Sequence, residues 1–221
     1  MNNADTTFSL EQEDRRVVQG TVAPVVRLRF AYADPPYFGL AAKFYGHLHP
    51  DAADYDRLDT HAALISRLCD EWPDGWAMSL HAPSLRHILP LCPDDCRVMP
   101  WVKPFSSFKP GVGVAYAWEP LIVRGGRKRE RWQPTVRDWC AVNITLQRGF
   151  CGAKPEGVVR WLLDVLNADP ADEITDLFPG SGAVTRAIEA WKAEGRLPLY
   201  KANTGMSERS SIPADANVRL S

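Results

Sequence analysis

The run from Val22 to Ala33 (VAPVVRLRFAYA) is β-branched and aromatic, and it stops at Asp34-Pro35-Pro36-Tyr37. Two successive prolines cannot extend a strand ladder, because neither has an N–H to donate. The chain therefore carries a strand with a stiff turn fixed at its carboxyl end. Beyond it, strand-like and helix-like segments alternate. Apolar spacing predicts helices over Thr60–Asp70, with Asp59 or Thr60 as cap, and over Ser84–Leu91, with Ser84 as cap. It also predicts helices over Lys154–Leu166, with Pro155 in the first turn, and over Ala183–Ala193. Strands are predicted over Gly75–Leu80, Arg97–Val102, Ala115–Val123 and Glu173–Phe178; Pro100 favours an edge or a bulge. Such alternation gives an α/β fold with a mostly parallel central sheet covered on both faces. In open sheets of this kind, ligands bind beyond the carboxyl ends of the strands.

The 221 residues fit one domain with appendages. Residues 1–21 read as a disordered or weakly ordered lead-in, 22–200 as the single domain and 201–221 as a polar tail. No apolar run is long enough to cross a bilayer, and no signal-peptide core is read near the start, so a cytoplasmic protein with no membrane partner is expected. With 26 Lys+Arg against 27 Asp+Glu, the net charge of −1 argues against coating nucleic acid by bulk electrostatics, but not against a local basic patch. The one dense basic stretch lies within loop 124–137. There Arg127, Lys128, Arg129 and Arg131 are the candidates for phosphate contact.

The five cysteines include no CxxC pair, and Cys92 and Cys96 lack a second pair at zinc-like spacing. Reduced thiols and no metal are expected. His47, His49 and Asp51 read as a solvated loop, and Phe105, Phe108 and Lys109 as a loop on the side of the proline turn.

Two strand-ending turns carry the chemistry. In the first, the Asp34 carboxylate and the Pro35 carbonyl are acceptors, and Tyr37 offers a flat face. Two acceptors and a stacking plane suit a planar ring with an exocyclic amine, such as adenine or cytosine. The second is Asp176-Leu177-Phe178-Pro179-Gly180-Ser181-Gly182, a strand, a glycine turn and a helix start. Glycines let the backbone approach a ligand closely, and a helix N-terminus favours negative charge.

Together these turns resemble the S-adenosylmethionine-dependent DNA amino-methyltransferases. In that family DPPY is the catalytic tetrapeptide and FxGxG the methyl-donor site. Asp34, Pro35, Pro36 and Tyr37 match the first; Phe178, Gly180 and Gly182 match the second. Lys154-Pro155-Glu156 matches the family's Lys-Pro helix start. The order, with DPPY N-terminal, is that of a permuted class, and the size and wording look like small bacteriophage DNA adenine methylases. The likeness spans roughly Val25 to Trp191.

The resemblance implies a Rossmann-like methyltransferase fold, reduced at its C-terminal cofactor half, and S-adenosylmethionine as cofactor. It implies catalytic roles for Asp34, Pro35, Pro36 and Tyr37. It implies donor binding by Asp176, Phe178, Pro179, Gly180, Ser181, Gly182, Lys154 and Pro155. The implied reaction is N6-methylation of adenine flipped from double-stranded DNA, in a bacterial or phage-infected cell. Cytosine N4 or RNA adenine methylation, a non-catalytic nucleic-acid-binding module and a homodimer stay open. The family's ribose-binding carboxylate has no counterpart directly after Arg196–Tyr200, and no His accompanies Lys154-Pro155.

Overall fold

The computed structural model describes residues 26–47, 49–105, 111–144 and 153–195. The expectations for the lead-in, the tail, the 196–200 segment, Phe108, Lys109 and Cys151 fall outside these residues.

Among the described residues six strands form one sheet: β1 (Arg29–Ala33), β2 (Gly75–Ser79), β3 (Arg97–Val102), β4 (Trp118–Gly125), β5 (Cys140–Ala141) and β6 (Glu173–Asp176). Their order across the sheet is β5-β3-β4-β2-β1-β6. β1 is parallel to both β2 and β6, and β3 is parallel to β5. β4 alone runs the other way, antiparallel to β2 and to β3. The helices are α1 (Ala41–Tyr45), α2 (Leu58–Glu71), α3 (Leu85–Ile88), α4 (Glu156–Val165) and α5 (Ala183–Gly195).

Side-chain alternation assigns the two faces. Phe30 and Tyr32 of β1 join Trp101, Leu121 and Val123 beneath α4 and α5, which contribute Val158, Val159, Leu162, Val184 and Ile188. Ala31 and Ala33 point to the opposite face, with Trp76, Met78 and Ile122, beneath Leu64, Ile65 and Leu68 of α2. β2 is buried along its whole length, as a central strand covered on both faces must be. Removing one such core side chain, for instance Leu68→Ala, costs about 2–5 kcal/mol in a close-packed interior.

Several element ends differ from expectation. β1 begins at Arg29, and β4 runs from Trp118 to Gly125 instead of from Ala115 to Val123. Gly125 and Gly126 take φ of +71° and +114°, so the strand ends in backbone that residues with a Cβ rarely adopt. α2 starts after Arg57 with no side-chain cap; Asp59 lies in its first turn, where a carboxylate complements the helix dipole. Ser84 precedes α3 without capping it and donates to the His81 carbonyl at 2.7 Å. Pro155 is the N-cap of α4, not a residue of its first turn, which leaves Lys154 outside the helix.

The order places the β1 and β6 carboxyl ends side by side, with Tyr32 paired to Asp176. From there the chain leaves β1 through α1 and α2 toward β2, and leaves β6 into α5 on the other face. Such a switch point opens a crevice between adjacent strand ends.

Candidate active site

The Asp34–Tyr37 and Leu177–Ser181 turns flank this crevice because each begins just beyond its paired strand. Leu177 N donates to Tyr32 O at 3.0 Å, extending the β1–β6 pairing to the mouth of the crevice. The cavity there measures about 700 Å³. Asp34, Pro36, Lys154, Phe178, Pro179, Gly180 and Ser181 line it, with Leu177, Ala183 and Val184. Tyr45 and His49 line it as well. Neither was a sequence candidate for ligand binding; they reach the cavity because the loop after the proline turn folds back over it.

Among the described residues, Asp34 is held by side chains alone. Lys154 Nζ sits in the fork of its carboxylate, 2.9 Å from Oδ1 and 2.8 Å from Oδ2, and the Tyr37 hydroxyl donates to Oδ1 at 3.1 Å. Lys154 Nζ also donates to the Tyr37 oxygen at 2.8 Å and lies 3.4 Å from Glu119 Oε2. The Lys154 side chain is only 4% exposed. Burial by itself pushes its ammonium toward neutrality; Asp34, Tyr37, Tyr32 and Glu119 outweigh this and hold its pKa well above the usual lysine value. Burial, and then the Asp34 carboxylate, push the Tyr37 phenol well above its usual value, so it stays protonated. Tyr37 and His81 stack with planes 7° apart and centroids 6.3 Å apart. Pro35 is buried, and neither Pro35 nor Tyr37 lines the cavity.

Lys154 lines the cavity, but its ammonium is committed to the proline turn. Pro155 does not line the cavity. Glu119 enters the site without having been a sequence candidate. It stands near the start of the reversed strand β4, whose first residues therefore lie at the carboxyl ends of the neighbouring strands.

Across the crevice, Gly180 and Gly182 take φ of +43° and +73°. A Cβ on Gly182 would stand 2.8 Å from Arg186 Nη1. Asp176 lies just below the turn. Its Oδ2 accepts from Thr185 Oγ1 at 2.8 Å and its Oδ1 from Phe178 N at 3.3 Å. Burial raises its carboxyl above the usual range despite these donors. Neither Asp176 nor Gly182 lines the cavity itself. Among the described residues, no cluster of three His, Cys, Asp or Glu side chains could hold a metal.

The basic loop is not brought to the site. Gly125 pairs with Gly75 at the start of β2, so the residues after β4 emerge at the amino ends of the parallel strands. At about 3.3 Å per residue, the four residues from Phe30 to Asp34 alone put some 13 Å between the two ends. Arg127 Nη2 donates to buried Asp172 at 2.6 Å and Nη1 to Val26 O at 3.0 Å. Arg129 Nη1 donates to Pro134 O at 3.1 Å, and its Nη2 to Asp164 O. The Lys128 carbonyl accepts from Asn167 Nδ2 at 3.3 Å, just past the C-terminus of α4. Arg127 and Arg129 thus tie the loop that follows β4 to the segments around Val26, Pro134, Asp164 and Asp172, at the end of the sheet opposite the crevice.

No protein-family model matches the sequence, and no curated protein matches it. Among solved structures, the M1.HpyAVI–SAM complex is similar at 13% sequence identity and a TM-score of 0.50, over 75% of this chain and 79% of that one. TTHA0409 of Thermus thermophilus, provisionally named a DNA modification methylase, is 16% identical with a TM-score of 0.47, over 75% of this chain and 77% of that one. The chain has a Rossmann-like methyltransferase fold.

Proposed function

We propose that the chain transfers a methyl group from S-adenosylmethionine to the N6 amine of adenine in DNA. One observation carries this reading: with β1 paired to β6, Asp34 and Pro36 of one turn and Phe178, Pro179, Gly180 and Ser181 of the other line a single cavity. About 700 Å³ falls within the range of small-molecule and cofactor sites.

The residues fit the donor. Gly180 in left-handed backbone permits close approach, Phe178, Leu177 and Val184 supply apolar wall, and the 13-residue helix α5 begins at Ala183 beside them. The SAM bound to M1.HpyAVI, a chain of similar fold, supports the same choice. S-adenosylmethionine, when bound, supplies an electrophilic methyl group on a sulfonium. Everything else falls to this chain. Tyr37 offers its ring to the base. Asp34 and the Pro35 carbonyl accept the two amine hydrogens, which turns the nitrogen lone pair out of ring conjugation. Lys154 in the carboxylate fork fixes the direction in which Asp34 accepts. Catalysis here is mainly positioning. The base must leave a duplex to reach the turn, since its amine is inaccessible while stacked.

The test incubates the full chain with labelled S-adenosylmethionine and unmethylated DNA or RNA, then identifies the labelled nucleoside. Label in N6-methyladenine of DNA is the expected result. Label in cytosine N4 or in RNA changes the substrate and keeps the chemistry. No label, with no donor binding by calorimetry, overturns the reading in favour of a binding module.

A further inference from the structure

The Tyr37 hydroxyl has one proton and two carboxylates within reach. Asp34 Oδ1 is 3.1 Å away and Glu119 Oε2 is 3.2 Å away. The same oxygen accepts from Lys154 Nζ at 2.8 Å. Lys103, from the residue after β3, closes the cluster by donating to Glu119 Oε1. Two ammoniums and two carboxylates thereby neutralise one another in a half-enclosed space, with the side chains of Lys103 and Glu119 15% and 18% exposed.

Counting lone pairs gives this arrangement a consequence. A carboxylate oxygen offers about two acceptor positions. Lys154 takes one on Asp34 Oδ1. When the Tyr37 proton points to Asp34, it takes the second and Oδ1 is saturated, so that only Oδ2, which also faces Lys154 Nζ at 2.8 Å, keeps a position. When the proton points to Glu119 instead, Oδ1 keeps a position for a substrate amine. We infer that Glu119 is a positioning residue that draws the Tyr37 hydroxyl proton away from Asp34, and that Lys103 holds Glu119 in that role. The inference rests on the proposed amine methylation.

The cluster is built for Glu119 to stay an acceptor. Lys103 faces it from the end of β3, Lys154 from before α4, Asp34 and Tyr37 from the proline turn, and Tyr32 from β1. Burial by itself raises the Glu119 carboxyl, but the ammoniums of Lys154 and Lys103 more than offset this and hold it below the usual range. Cross-strand pairing of Trp101 with Glu119 and of Val102 with Trp118 fixes the approach of Lys103. Protonating Glu119, or making it neutral, leaves two ammoniums competing for the acceptor that remains and returns the Tyr37 proton to Asp34.

The experiment measures kcat and KM for wild type, Glu119→Gln, Tyr37→Phe, the double variant, Lys103→Met and Lys103→Arg, with labelled S-adenosylmethionine and unmethylated DNA. Donor binding is followed by calorimetry and folding by thermal melting. Glu119→Gln is expected to lower kcat by roughly tenfold or more with donor affinity unchanged, the scale of a lost positioning contact. Adding Tyr37→Phe to Glu119→Gln should recover part of that loss, because no hydroxyl proton remains to saturate Asp34 Oδ1; a merely structural Glu119 gives no such rescue. Lys103→Met should move the acid limb of the kcat–pH profile to higher pH, and Lys103→Arg should return it. The Lys103 pair carries the test if Glu119→Gln does not fold. An active wild type with additive double-variant losses, or an acid limb unmoved by Lys103→Met, overturns the inference alone. A wild type that transfers no methyl group overturns the functional reading and takes the inference with it.

Discussion

Two aspartates sit in basic surroundings at opposite ends of the sheet, and their partners separate a site from a staple. Asp172 is fully buried and filled by its own chain: Leu28 N and Arg127 Nη2 donate to Oδ1 at 2.8 and 2.6 Å, and Asp169 N donates to Oδ2 at 2.7 Å. Backbone donors lock it, and it lies away from the crevice. Asp34 has no backbone donor among the described residues, is 20% exposed, and borders the crevice. A carboxylate whose acceptor positions go to the backbone holds a fold together. One gripped by movable side chains beside a cavity can exchange partners with a ligand. Buried ion pairs of both kinds are costly to break from one side, so burial alone does not tell them apart.

Substitutions put this distinction at risk. The largest effect is expected from Asp34→Ala, which should reduce methyl transfer by roughly 10²- to 10⁴-fold, the range for a removed acid–base group. Donor binding by calorimetry should stay near wild type, while the melting temperature should fall at either aspartate, since each substitution leaves a buried or half-buried cation short of a partner; a loss of activity per folded molecule no larger than that of an Asp172 variant would make Asp34 another staple. Asp172→Ala should act in the opposite manner on activity. It strands Arg127, whose Nε already lacks a partner among the described residues, and should cost about 3 kcal/mol of stability. Activity per folded molecule should be unchanged, as read by denaturant midpoint and by assay below the transition.

A smaller effect should emerge with pH. The Glu119 carboxyl lies lower in the folded chain than in the unfolded one. Its contribution to stability is therefore present above the ordinary carboxylate pKa and lost as pH falls through the depressed folded value. Acid melts should show Glu119→Gln losing less stability than wild type across that window; parallel curves would remove Glu119 from the charge network. The smallest effect is expected from Lys128→Ala with Arg131→Ala. The loop that carries them is tied to Asn167 at the end of α4, away from the crevice, so DNA affinity and its salt dependence should not change. A flattened salt slope would place the nucleic acid where the sheet geometry does not.

Much of the site was legible. The proline pair marks where β1 ends, whatever β1 packs against, because the missing N–H groups are a covalent property. The glycine turn and the apolar period of α4 and α5 are local in the same sense. The roles of Lys154 and Glu119 were not legible. Lys154 reads as a helix start, and only the placement of Pro155 as N-cap turns its ammonium onto Asp34. Glu119 reads as one polar residue in an apolar strand.

One topological fact sets both where the basic loop emerges and how Glu119 joins the site. An alternating α/β chain with two ligand-type turns, each at the carboxyl end of a strand, is written in the residues themselves, because turns, caps and periodicity are set by neighbours along the chain. The expectation of a mostly parallel sheet came from the same source, and five of the six strands do run one way. That β4 is the exception emerges from tertiary pairing alone. Its reversal carries Glu119 to the crevice and Arg127 to the opposite end. The reason is physical: a strand's side-chain alternation is the same read in either direction, so its pattern does not encode which way it runs. Pairing with β2 and β3, and the burial both faces gain from it, settles the direction.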